Sequence, residues 1–280
     1  MINLQLNEVN LGYALDYAEM YNLKNIKTVA SNYIKTSSES AYEHLEPWIQ
    51  WVSAHTGLTY SEHEVFRLGD MVNNNHMQIF ELVEKKGFSV GAISPMNTKN
   101  NLNNPKYFIP DPWTNTATDG SLWSKALKDV LAQTVNDNAQ SKITVKNLLF
   151  LACALIRFAR VKNYSRYIEY AFKALRKSWF KPLFLDLFLS DLHSSLYKSK
   201  KADFSTLFLN AGAHIQHHYL YNSTCSKPSE NLNNPSWYIK SEDDPFLDVL
   251  KLYDYILGEV FNSNDDILVS TGLTQVPYPE

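Results

Sequence analysis

Thr206-Leu207-Phe208-Leu209-Asn210-Ala211-Gly212-Ala213-His214-Ile215-Gln216-His217-His218-Tyr219 changes its period part-way along. The first residues form a continuous apolar run of strand type, the middle ones are small and suit a tight turn, and the last ones follow a helical spacing. A hydrophobic strand that ends at Asn210 and passes directly into a helix is the repeating unit of a parallel sheet covered by helices. His214, His217 and His218 stand at i, i+3 and i+4, hence on one helix face beside the carboxyl end of a strand. Ligands of open α/β sheets bind at that edge. Neutral imidazoles placed there can hold a metal or move a proton. The plainer alternative is that some of these rings only cap loops or pack against Tyr219.

Working outward, the same alternation of elements recurs. Residues 2–6 alternate apolar and polar residues and read as an opening strand; Asn10 then caps a helix over 11–21. Pro47 suits the first turn of a helix to about Ala54, stopped by Gly57. A helix over 77–86 carries Ile79, Phe80 and Val83 at helical spacing and leads into a buried strand, 88–93. Residues 94–120 are rich in Asn and Pro and read as a long irregular stretch, which in a compact domain is functional or poorly ordered. From 121 to 200 the pattern is helical, strongest over 143–175 and 182–197. Strand 202–209, a helix from about Ala213, a polar loop 222–244, a helix over 245–260 and a last strand, 266–270, complete the chain. The fold class is therefore α/β, a mostly parallel central sheet flanked by helices. Residues 1–120 and 201–280 form its core, and 121–200 form a helical insertion or cap. The short tail after the last strand suggests a short version of the fold or a truncated chain.

The 280 residues are 45% hydrophobic and 13% aromatic, enough for a sizeable core. A formal net charge of −3 argues against a protein built mainly to bind nucleic acid. No stretch approaches a membrane span; the best, 148–156, is too short and is followed by Arg157, Arg160 and Lys162. The opening residues lack the pattern of a signal peptide. Cys153 and Cys225 sit in unlike contexts, so reduced, structural thiols and a cytoplasmic location are expected.

A second polar segment runs from Leu45 to Val65. Glu46 stands at the mouth of the helix begun by Pro47, where the positive end of the dipole favours a carboxylate or a bound anion. Trp48 and Trp51 offer flat surfaces beside it, with ordinary core packing as the alternative. Gln50 and His55 share that helix.

These segments resemble the alkaline phosphatase superfamily, in particular its type I phosphodiesterase/nucleotide pyrophosphatase branch. His55-Thr-Gly-Leu-Thr-Tyr-Ser-Glu-His-Glu-Val65 is similar to the signature that follows that branch's nucleophile. Residues 78–93 are similar to its next helix and strand, the His-rich turn to its Asp-x-x-x-His metal motif, and Ile267-Leu-Val-Ser-Thr-Gly272 to its Ser-Asp-His-Gly turn. The resemblance covers most of the chain outside 121–200, a region where the family carries variable insertions. It implies an alkaline phosphatase-like fold and a metal-dependent hydrolase or transferase.

Residue by residue the implied chemistry departs from the family. Its first-strand Asp ligand falls on Asn7, beside Glu8, and its hydroxyl nucleophile falls near Pro47, beside Glu46. The Asp of the metal motif falls on Ala213 while its His is kept as His217, and the last Asp-His pair becomes Thr271-Gly272. Two dications about 4 Å apart need several carboxylates to offset their charge, so the family's two-metal site is not expected to assemble.

The resulting expectation is an unconventional hydrolase or transferase acting on a phosphate or related anionic ester. A single divalent metal, zinc or manganese, would be held by Glu8, His214 and His217, with Glu46 beside it as a catalytic residue and His218 as the acid/base. Trp48, Gln50 and Asn210 would contact the substrate, an anionic small molecule or glycan. Ser53 and Thr56 are the hydroxyls within reach of the lost nucleophile's role. The alternative is a catalytically degenerate domain that binds a glycan, nucleotide or protein, using the Glu46 helix and the Asn-rich stretch 97–104.

Overall fold

The structure, a computed structural model, describes residues 1–37, 39–136, 144–224, 235–263 and 265–276. Cys225 lies outside the described residues. So do 225–234 of the expected polar loop, and 137–143 within the helical region.

Five strands, β1 (Ile2–Leu6), β2 (Val90–Ile93), β3 (Tyr107–Ile109), β4 (Phe204–Leu209) and β5 (Ile267–Ser270), form one sheet in the order β3-β2-β4-β1-β5. Every neighbouring pair is parallel. The expected mostly parallel α/β sheet flanked by helices is thus present, and it is wholly parallel among the described residues. β4 is the central strand, and β1 is an interior one: Ile2 stands opposite Ser205 on one side and Ile267 on the other. The five residues of β1 are all buried, which is why a strand that alternates in sequence sits between two covered faces.

Burying both faces requires helices on both, and the alternation of side chains decides what each helix meets. One face presents Leu4, Leu6, Leu207, Leu209, Ile93 and Ile109 to the large core. There they meet α1 (Leu11–Tyr21), α2 (Lys24–Ser31), α9 (Phe180–Lys200), α10 (Ala211–Tyr219) and α11 (Pro245–Phe261). The other face presents Val90, Ala92, Phe108 and Phe204 to Phe80 of α5 (Ile79–Lys85), and Phe208 to Trp51 of α3 (Pro47–Thr56). A short helix, α4 (Tyr60–His63), follows α3.

Asn10 caps α1 by accepting from the backbone N–H of Tyr13 at 3.0 Å, and Gly57 ends α3 at a φ of 73°. α5 begins with a reciprocal pair: the Glu81 carboxylate accepts from the backbone N–H of Gln78, whose side chain in turn caps the helix.

The region 121–200 contains α6 (Leu122–Asn136), α7 (Val145–Phe158), α8 (Tyr164–Ala174) and α9. The expected single run over 143–175 is broken at 159–163, where Arg160 turns inward to the buried carboxylate of Asp191 at 2.5 Å. α9 is not peripheral. Its Leu183, Leu187, Phe188 and Leu192 are almost fully buried in the same core as the sheet. Pro182 falls in its first turn, where a missing N–H costs nothing.

Two further differences have local causes. The stretch 94–120 contains β3, a strand of only three residues that the surrounding Asn and Pro conceal in sequence. β3 lies against Gly91, where a Cβ would come within 2.2 Å of the Tyr107 ring, so the glycine is what lets β2 and β3 approach. Cys153, expected to be buried by its apolar context, is exposed, because α7 turns Ala154 and Phe158 to the core instead. Among the described residues, no helix is long and apolar enough to cross a membrane.

Candidate functional site

The chain leaves β1 toward β2, on the β4 side, and leaves β4 toward β5, on the far side of β1. In open α/β sheets, adjacent strands with connections running opposite ways mark the edge where ligands bind, at the strands' carboxyl ends. The residues that follow β1 and β4 meet there.

At Glu8 the backbone is left-handed, with φ 57°. That conformation costs a non-glycine residue on the order of 1 kcal/mol and persists where its surroundings hold it. Here the Glu8 N–H donates to the Thr271 carbonyl at 2.7 Å, and its carbonyl accepts from the Gln216 side chain at 2.8 Å. The loop after β5 and helix α10 thereby fix the turn, and the buried carboxylate meets Nε2 of His217 at 2.9 Å. The Gln275 amide donates to the same carboxylate oxygen. His217 is about half exposed, and its Nδ1 makes no hydrogen bond among the described residues. The hydrogen bond to Glu8 raises the imidazole pKa above the ordinary 6.5, and the charges of Glu8 and Glu46 act in the same direction.

Glu46, preceding the first turn of α3, is near enough for its charge to act on this pair. Partial burial and the Glu8 charge raise its own pKa. Of the residues named from sequence, Glu8 and His217 are in contact, and Glu46 is linked to them through its charge alone.

The other candidates lie elsewhere or have their polar groups engaged. His214 and His218 form a separate pair, ring centroids 4.7 Å apart, and His218 Nδ1 faces the Tyr238 hydroxyl at 3.4 Å. Burial and its two neighbouring histidines push His214 down to about 4. Trp48 donates to the Phe66 carbonyl and Gln50 to the His44 carbonyl, each at 3.0 Å, so both hold the local chain. Asn210 accepts from the Asn7 amide at 2.8 Å, and Asn7 in turn accepts from the Trp51 indole at 2.7 Å.

Among the described residues no three His, Cys, Asp or Glu side chains are grouped to hold a metal ion. The two-metal set of the resembled family does not fit: amides occupy the strand ends, and Glu8 and His217 are closed on each other. His214, named with them as a metal ligand, is turned toward His218 instead.

The hydroxyls are equally committed. His63 Nδ1 accepts from the Val65 N–H at 3.0 Å, which places the neutral ring's proton on Nε2. That nitrogen faces Ser53 Oγ at 3.0 Å, so His63 donates to Ser53 and is in the wrong tautomer to take its proton. Thr56 donates to the Val52 carbonyl within its own helix.

Comparison with known proteins gives no relative. No family model, curated protein or solved structure matches the chain.

Sequence reading missed Asp186, the group that shapes this edge most. It sits buried in α9 and accepts from the N–H groups of Asn210 and Ala211 at 3.3 and 2.9 Å and from Tyr253 Oη at 2.7 Å. The same Tyr253 hydroxyl accepts from the Gly212 N–H at 2.8 Å. The donors at the start of α10, which a bound anion would use, are therefore taken by the protein's own groups. Burial raises Asp186 to about 6. A signal was present: a lone Asp within the apolar run Pro182-Leu-Phe-Leu-Asp-Leu-Phe-Leu189 is a buried carboxylate in need of donors.

Proposed function

We propose that the sheet edge at the carboxyl ends of β1 and β4 is an acid/base site, with His217 as its proton carrier, in a hydrolase or transferase acting on an anionic ester. The observation that carries this reading is the contact of buried Glu8 with His217 Nε2 at 2.9 Å, which leaves Nδ1 for a substrate. Glu8 orients the ring, favours its protonated form and so makes the neutral form a stronger base. In a hydrolysis, Nδ1 takes a proton from water as its oxygen bonds to the central atom of the ester, and the bond to the leaving alkoxide breaks. Glu46, whose raised pKa favours a protonated fraction, then supplies the proton that the alkoxide needs.

The charges bear on the substrate. The Glu8 carboxylate, joined by Glu46 whenever it is ionised, opposes a dianion, so a singly charged diester suits the site better than a monoester. The phosphate-ester class itself comes from the resemblance to the phosphodiesterase branch, with neither a metal nor a protein nucleophile carried over.

The test is turnover of phosphodiesters, phosphomonoesters and sulfate esters by wild type and by His217→Ala. Diester turnover that falls at least about 100-fold in a folded His217→Ala variant supports the reading. Unchanged turnover in that variant, or none by wild type on any ester, removes it.

A second reading, a degenerate binding domain for a glycan, nucleotide or protein, is favoured by one observation. Asn7, Asn210 and Trp51 at the strand ends satisfy one another, as do the α10 donors and Asp186. It predicts thermal stabilisation by a sugar or nucleotide without turnover.

A further inference from the structure

The turn before α8 and the helix itself present Val161, Tyr164, Ile168, Phe172 and Leu175 at intervals of three and four residues, a single stripe along one flank. That stripe is not the one that builds the core: α8 buries Tyr167 and Tyr170 instead. Val161 is 78%, Ile168 60%, Phe172 69% and Leu175 79% exposed. Surface apolar residues are ordinary when scattered, but aligned on one helix flank they mark an interaction face. On α7, Leu149 and Ile156 stand opposite that helix's buried side and are also exposed.

The charge around the stripe identifies its partner. Residues 157–181 contain eight Lys and Arg against one acid, Glu169, in a chain whose net charge is −3. Several of these cations are paired: Arg160 with Asp191 and Glu259, Lys173 with Glu169, Lys177 with Asp243. Arg157, Arg176 and Lys181 are exposed and form no salt bridge among the described residues. Aliphatic and aromatic side chains bordered by lysine and arginine on a helix flank are the pattern of a helix lying in a membrane interface. A second copy bound through the same face would bring like charges together.

We propose that the outer flank of α8 docks laterally on an anionic lipid bilayer. The apolar stripe enters the headgroup–acyl boundary, and the flanking cations meet lipid phosphates. This inference is independent of the chemistry assigned to His217.

The test is co-sedimentation of the full chain with phosphatidylcholine vesicles, with and without about one third phosphatidylglycerol. Expected are binding to the anionic vesicles only, weakening with salt, and loss by roughly tenfold or more in Phe172→Ser/Leu175→Ser. Both residues are exposed, so that variant keeps the fold; Arg176→Glu/Lys181→Glu gives an independent loss through charge. No binding at low salt, equal binding to neutral vesicles, or binding unchanged in both variants overturns the proposal. So does a dimer in sedimentation equilibrium that Phe172→Ser/Leu175→Ser abolishes while vesicles bind neither form, which would assign the flank to a second copy.

Discussion

Glu8 shows how one residue's backbone can decide a side chain's chemistry. Its left-handed turn, held by Thr271 and Gln216, brings a buried carboxylate to His217. His217 has its pKa raised above 6.5, so the stabilisation it gains from Glu8 is complete below that pH and is lost as pH rises through the folded value. A reaction needing the neutral ring gains rate over the same rise. In Glu8→Gln the alkaline-going limb of the rate profile should therefore move toward lower pH, approaching 6.5. A limb that stays in place would mean Glu8 does not act on His217. The buried histidines behave oppositely. His55, between Gln5 and Thr98, and His193, against Ser205, are pushed down to about 4 by burial alone or chiefly so. Folded, both are neutral at pH values where the unfolded chain protonates them, so stability falls as pH drops from 6.5 toward 4. The loss is on the order of 3 kcal/mol per ring at the acid end. Denaturant titrations from pH 7 to 4.5 should show it, and His193→Gln should flatten the slope by about one proton.

Among elements, those with a periodic or continuous apolar pattern were legible in sequence, strands β1, β2, β4 and β5 included, and those without one were not. Helix 11–21 and the helix from Pro245 carry caps and a sustained 3.6-residue period, so their starts are written locally. β3 is three residues long, too short for a period, and exists because Gly91 admits Tyr107. The break at 159–163 depends on Asp191, far along the chain, and no local pattern announces it. The site divides in the same way. Spacing put three histidines on one face of α10, yet which of them meets a carboxylate depends on the turn at Glu8, about 200 residues away. Asp186 is the clearest tertiary contribution, because it links α9, α10 and α11 through Ala211 and Tyr253. Asp186→Ala leaves those donors without an acceptor, and should lower unfolding stability by about 3 kcal/mol while also loosening His217. Equal stability of the variant and wild type would mean that solvent satisfies the start of α10.

The whole molecule is organised around one parallel sheet with β4 at its centre, and the region 121–200 shares its core through α9. Unfolding should therefore be one transition by both tryptophan fluorescence and circular dichroism, and a chain with 121–200 replaced by a short linker should not fold. A folded, cooperative deletion protein would show that the sheet closes without α9. The pairing of β1 on both sides has a further consequence, during synthesis. Ile2 is made well before either residue that it pairs with, Ser205 and Ile267. At roughly 5–20 residues per second, β1 waits on the order of 10–40 s with both edges bare and its apolar side chains uncovered. A slow stretch of codons between β1 and residue 204 would lengthen that exposure.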